Sequence, residues 1–158
     1  VLGDQEIAEV NLKEAAHMIA TNYTSAVMWC LTAASILEKQ KKGTLIVIGS
    51  VAGDRGRASN YVYGSTKGGL AVFVQGIAHR LSRQGARAIL IKPGPVDTPM
   101  TMALPKGRLW SKPQTVAHDI VRVAERPKRV THYSPKFWRW IAFIIRIIPT
   151  GIFHKTRL

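Results

Sequence analysis

Between Leu12 and Gln40 the chain is apolar-periodic and free of proline and glycine, with Ala15, Ile19, Ala26, Trp29, Ala33 and Leu37 recurring at helical spacing. That pattern predicts one long helix. Lys39, Lys41 and Lys42 suit the negative end of its dipole, and Gly43 suits its stop. Thr44 to Ile48 is a continuous apolar, β-branched run, the pattern of a strand buried on both faces in a parallel sheet. After a loop from Gly49 to Asn60, residues Tyr61 to Arg83 predict a second helix with Leu70, Phe73, Val74, Ile77 and Leu81 on one face. Gly68 and Gly69 inside it are unfavourable unless another segment packs closely there. Gly85 ends the helix, and Ala86 to Ile91 reads as a second buried strand, broken by Pro93-Gly94-Pro95. A polar loop reaches Lys112. Gln114 to Glu125 then predicts a third helix behind Pro113, Arg129 to Tyr133 a short strand, and Phe137 to Ile148 a strongly apolar last helix stopped by Pro149 and Gly151.

Alternating helices and strands imply βαβ units: an α/β fold with a doubly wound parallel sheet, helices on both faces and right-handed crossovers. A length of 158 residues suits one modest domain, and 46% hydrophobic with 20% charged residues is a globular balance. The lone cysteine, Cys30, excludes an intrachain disulfide and reads as a small buried side chain. The start, Val1-Leu2-Gly3-Asp4-Gln5-Glu6, has neither a basic region nor an apolar run. It predicts no secretory signal, hence a cytoplasmic location, and its lack of an initiator methionine predicts a chain that begins inside a longer protein.

The net charge of +14 raises nucleic acid and anionic membranes as partners. Its carriers are scattered over Lys39–Lys42, Arg55, Arg57, Arg126 to Arg129, Arg139, Arg146, Lys155 and Arg157, with no zinc-finger spacing and no aromatic RNA-binding signature. No nucleic-acid partner is expected. The histidines, His17, His79, His118, His132 and His154, lack ligand spacing, so no metal is expected either.

Ligands of open α/β sheets bind at the carboxyl ends of strands. Gly49-Ser50-Val51-Ala52-Gly53 follows the first strand and Pro93-Gly94-Pro95-Val96-Asp97-Thr98 the second. Tyr63 and Lys67, four apart, share a face of the helix between them. A neighbouring ammonium favours the phenolate and lowers a tyrosine pKa, so the pair can serve as acid in carbonyl reduction or as base in the reverse. Ser50 can hold the substrate oxygen beside the phenol. Each piece alone is common; an exposed helix pair, a turn serine and a polar helix asparagine are the ordinary readings. The joint spacing of Asn22, Ser50, Tyr63 and Lys67, with Pro93-Gly94 one helix and one strand later, is not common.

That constellation resembles the Asn, Ser, Tyr, Lys tetrad of the short-chain dehydrogenase/reductase family, over about Gly3 to Glu125. The resemblance implies an NAD(P)-dependent oxidoreductase interconverting a carbonyl and a secondary alcohol. It makes Tyr63 the proton donor and Ser50 the positioner of the carbonyl. Tyr63 and Lys67 would also bind the cofactor, Lys67 at the nicotinamide ribose, and Asn22 would support a water-linked relay to Lys67. In the loop after the second strand, Pro93, Gly94, the Val96 backbone and the Thr98 hydroxyl would meet the cofactor. A narrower similarity, through Asn22-Tyr23-Thr24, Val62 to Lys67 and Ile148 to Phe153, is to decaprenylphosphoryl-2-keto-ribose reductases, which act on a keto sugar carried by a polyprenyl phosphate.

The family's Gly-rich pyrophosphate turn has no counterpart here. Gly53-Asp54-Arg55-Gly56 follows Ser50 and opens no helix. The expectation is therefore the C-terminal half of a Rossmann-like sheet, its N-terminal nucleotide-binding half missing: a partial catalytic domain over residues 1–135 and an apolar, basic helix and tail over 136–158. The raw sheet edge invites a second copy, so a homo-oligomer is expected. The last helix is about 18 Å long, too short for a bilayer core of about 30 Å. It either lies on a membrane surface, with Arg139 and Arg146 on anionic headgroups, or packs against protein. A lipid-linked substrate would favour the first. Two rivals to an oxidoreductase remain: a non-catalytic piece unable to bind cofactor, and a basic binder of membrane or nucleic acid.

Overall fold

The computed structural model describes residues 1–126 and 129–156. Lys128 and Arg157, two of the basic positions above, lie outside the described residues, as do Pro127 and Leu158. Three parallel strands, β1 (Thr44–Ile48), β2 (Arg87–Pro93) and β3 (Thr131–Ser134), pair in the order β1-β2-β3. Thr44 lies opposite Arg87 in the first pair and Leu90 opposite Thr131 in the second.

Side-chain alternation sends the two faces of the sheet into two cores. Leu45, Val47, Ala88 and Leu90 pack with α3 (Ser25–Gln40) and α4 (Tyr61–Ser82), whose Ala34, Leu70, Val74 and Leu81 are buried. Ile46, Ile89 and Ile91 pack with Ile120 and Val123 of α5 (Pro113–Glu125). Helices thus cover both faces, as the alternation of elements predicts. Pro113 stands in the first turn of α5, where its absent N–H is no loss.

The predicted burial of β1 on both faces is corrected. Only Val47 of that strand is buried and Ile48 is 45% exposed, because β1 is the sheet's outer strand among the described residues. β2, flanked on both sides, is buried from Ala88 to Pro93.

The single long helix is also corrected. A short α1 (Gln5–Val10), capped by the Asp4 carboxylate, precedes it. The long run itself consists of α2 (Leu12–Ile19), a π turn (Ala20–Thr24) and α3. The wider turn resets the register, so Met18, Asn22, Cys30 and Ala34 face inward while Ile19 and Trp29 lie 44% and 76% exposed. Lys41, not Gly43, takes the left-handed cap position, although Gly43 also has positive φ. The last predicted helix becomes α6 (Trp138–Ile147) followed by a short α7 (Thr150–Phe153). Among the described residues no helix is long and apolar enough to cross a membrane, and no group of His, Cys, Asp and Glu is placed to hold a metal ion.

Candidate active site

Ser50 follows β1 directly and caps a 3-10 turn (Val51–Gly53), its Oγ accepting the Ala52 N–H at 3.1 Å. That turn lies against α4 at unusually close range. A β-carbon on Gly53 would stand 2.6 Å from the Gly68 nitrogen, one on Gly64 3.0 Å from the Ala52 carbonyl oxygen, and one on Gly68 3.2 Å from the Gly53 oxygen. Glycines at 64 and 68, one helical turn apart, let the loop touch the helix backbone. Gly69 faces the Tyr23 ring in the same way, at 3.3 Å. Close packing is therefore what offsets the cost of glycine inside α4, roughly 1 kcal/mol per residue.

The same contact carries Ser50 to Tyr63 and Lys67. Tyr63 is buried, 7% exposed. Burial raises its phenol above the ordinary value, while a hydrogen bond with the Ser50 side chain pulls the other way. Burial lowers Lys67. Its Nζ donates to the Ile48 carbonyl at 3.4 Å and stands 5.7 Å from the centre of the Tyr63 ring. The expected depression of the Tyr63 pKa by Lys67 is thus not what the structure gives. The ammonium points to the end of β1 rather than to the phenol oxygen, and desolvation wins.

Asn22 sits in the π turn with its side chain buried. Its Nδ2 donates to the Val1 carbonyl at 2.7 Å and its Oδ1 accepts from the Val1 nitrogen at 2.8 Å. Asn22 and Lys67 line one open groove of about 490 Å³ that runs along Leu45 to Ile48. Ser50, Tyr63 and Lys67 form one cluster, and Asn22 joins it across this groove.

The second loop begins at Pro93, the last residue of β2, beside Ser134. Gly94 donates to the Ser134 carbonyl at 3.1 Å. A β-carbon on Gly94 would collide with the Trp138 indole, so only glycine permits α6 to close on this loop. Around Val96, Asp97 donates to Ser111 O at 2.9 Å and Ser111 donates to Pro95 O at 3.0 Å, a parallel bridge that turns the Val96 N–H and C=O the other way. The Val96 carbonyl accepts from Thr101 Oγ1 at 2.6 Å. The Thr98 N–H donates to that same hydroxyl at 3.2 Å, and the Thr98 and Thr101 hydroxyls are 3.3 Å apart. Thr101, 9% exposed, is the hub of the loop and was passed over in the sequence, where a threonine in a polar loop carries no signal.

Two further contacts were also not legible. Lys92, under the loop, forms a buried ion pair with Asp54, their side chains 8% and 5% exposed. Burial and the Asp54 carboxylate push Tyr133 up to about 12. Arg55 donates through Nη1 to the carbonyls of Ile145 at 2.7 Å and Ile148 at 2.6 Å, and its guanidinium lies 3.8 Å from the centre of the Phe153 ring. The loop after Ser50 is thereby tied to the sheet by Asp54 and to α6 and α7 by Arg55.

The residues present fit one end of a nicotinamide cofactor. The Lys67 ammonium keeps donors beyond its single long bond, and the Val96 N–H is turned out of its bridge. Among the described residues no Gly-rich turn opens a helix for a pyrophosphate; Gly53 to Gly56 forms the 3-10 turn and a bend.

A model of the short chain dehydrogenase family matches residues 1–109. The chain is similar to an uncharacterized oxidoreductase of Streptomyces coelicolor, 35% identical over 157 residues, covering 98% of this chain and 61% of that protein. A similar protein from Mycobacterium tuberculosis, also an uncharacterized oxidoreductase, is 34% identical over 155 residues, with 98% and 62% covered. The chain thus spans about three fifths of the length of these relatives. Among solved structures, a short chain dehydrogenase from Burkholderia cenocepacia in complex with NADP superposes with a TM-score of 0.75 at 19% identity, over 91% of this chain and 59% of that one. That likeness bears on the fold.

Proposed function

This chain belongs to the short-chain dehydrogenase family, and from that premise we propose that it carries the catalytic part of an NAD(P)-dependent oxidoreductase interconverting a carbonyl and a secondary alcohol. The observation that carries this reading is a buried Tyr63 with Lys67 one turn along the same helix and Ser50 on the turn packed against that helix; burial favours the protonated phenol. In reduction Tyr63 gives its Oη proton to the carbonyl oxygen. Ser50 holds that oxygen, and Lys67, its Nζ 5.7 Å from the centre of the Tyr63 ring, supplies positive charge on the same side of α4. A bound nicotinamide supplies the hydride to carbon, or takes it in the reverse reaction. Tyr63, Lys67, Pro93, Gly94, Val96 and Thr98 are the residues proposed to hold it, and Asn22 to link Lys67 to solvent.

The finer reading, a keto sugar on a polyprenyl phosphate, is supported by the similarity in Asn22–Thr24, Val62–Lys67 and Ile148–Phe153 and by an apolar, basic C-terminal segment beside the site. Self-association is proposed from the outer edge of β1 and from exposed Met28, Trp29 and Ile36 on α3.

The test is binding of NADH and NADPH to the 158-residue chain and to a chain extended to the length of its relatives. Binding by the extended chain alone is expected, since nothing described here cradles a pyrophosphate. Binding by neither overturns the oxidoreductase reading and leaves a non-catalytic interaction protein.

A further inference from the structure

Helix α6 is apolar on two opposite sides. Trp138 and Ala142 are buried against the loop and strand beneath. At 3.6 residues per turn, Trp140, Phe143, Ile144 and Ile147 fall on an arc about 100° wide on the far side. All four face outward, at 61%, 54%, 56% and 61% exposure, and Phe137 and Ile152 extend the patch at 43% and 60%. An exposed apolar arc of this size belongs against protein or lipid, and nothing among the described residues covers this one.

One flank of the arc is basic. Arg139 and Arg146, seven apart, line an open groove of about 990 Å³ together with Arg122, Arg126, Arg129 and Lys136. Two carboxylates, Asp119 and Glu125, also line it; Asp119 pairs with Arg122, and within the described residues none of the other five cations forms an ion pair. Arg139 also lies 4.9 Å from the centre of the Trp140 ring, so charge and aromatic body share one surface.

We propose that α6 and the adjoining groove form a docking surface for an anionic membrane, the apolar arc entering the headgroup region and the groove taking lipid phosphates. Charge complementarity selects this occupant. A second copy of the chain would set one unpaired basic groove near another in a protein of net charge +14, whereas an anionic leaflet attracts every cation in it. Aromatic residues beside arginines are the side chains that settle at such an interface. The position matters for chemistry as well. Trp138 abuts Gly94, and Arg55 joins the loop after Ser50 to the end of α6. The helix whose outer face docks is therefore held, on its inner face, against the loops of the proposed site. The surface stands on its own observations; only its use, to receive a lipid-linked carbonyl, rests on the function proposed above.

The test is flotation of the 158-residue chain with vesicles of phosphatidylcholine, alone or mixed with phosphatidylglycerol. The mixed vesicles should carry at least about tenfold more protein, and about 1 M salt should abolish the difference. Trp140→Ser, Phe143→Ser and Ile147→Ser together should cut flotation roughly tenfold, as should Arg139→Gln with Arg146→Gln, each with unchanged circular dichroism. Equal flotation on neutral vesicles, or retention by both variants, overturns the proposal. So does a dimer, seen by light scattering, that the serine variant dissolves. Cofactor binding is read separately, so the surface and the activity fail independently.

Discussion

A phenol is a weak acid, and burial makes Tyr63 weaker still, which suits it to the proton-donor role proposed for it. Replacing Tyr63 with Phe in the extended chain should weaken cofactor binding far less than it slows the reaction, since Lys67 and the loop from Pro93 to Thr98 remain. Carbonyl reduction should slow by about 10²–10⁴-fold, the usual worth of a positioned acid. An unchanged turnover rate would remove Tyr63 from the chemistry. The spacing of Tyr63 and Lys67 was readable because a helix puts residues four apart on one face. Where Lys67 Nζ points was not, since its partner, the Ile48 carbonyl, comes from another element. Thr101 was unreadable for the same reason: its contacts with Val96 and Thr98 exist only once the loop has folded.

Helix α4 and the turn after Ser50 work as one unit, held at backbone contact through Gly53, Gly64 and Gly68. Gly53→Ala would force a methyl against the Lys67–Gly68 backbone, and overpacking of this kind costs about 1–3 kcal/mol. The variant should unfold at lower urea, and its Ser50 should move away from Tyr63, so activity should fall further than stability alone explains. An unchanged midpoint would show that the turn can shift freely. The unfavourable Gly68-Gly69 pair foretold a close approach without saying what approaches. Helix α1 escaped notice because a six-residue element has too few turns for a period to show. Yet Gln5 Oε1 accepts the Val62 N–H at 3.0 Å and so helps to start α4. The π turn was hidden inside a periodicity that ran through it unbroken in composition.

On the scale of the molecule, the sheet and both helical layers could be read from the alternation of elements, while the cross-links between distant segments could not. The Lys92–Asp54 pair joins the middle strand to the loop after Ser50. Lys92→Met would leave the Asp54 carboxylate buried without its cation, a loss of about 3–5 kcal/mol. Adding Asp54→Asn should recover part of that stability in urea unfolding, and a double variant no better than the single would show that the pair is not what holds the loop. β1 shows how context overrides pattern: its run of β-branched residues announces a strand covered on both sides, and the outer position leaves Ile48 half in solvent.

The Arg55 clasp also has a temporal meaning. Its bond to Ile148 joins residues 93 apart in sequence. At ribosomal rates of 5–20 residues per second, Arg55 waits on the order of 5–20 s for its partner to be made. Throughout that interval the loop behind Ser50 lacks one of its two moorings, so a ribosome-bound chain, however well its sheet has formed, has yet to finish assembling this region.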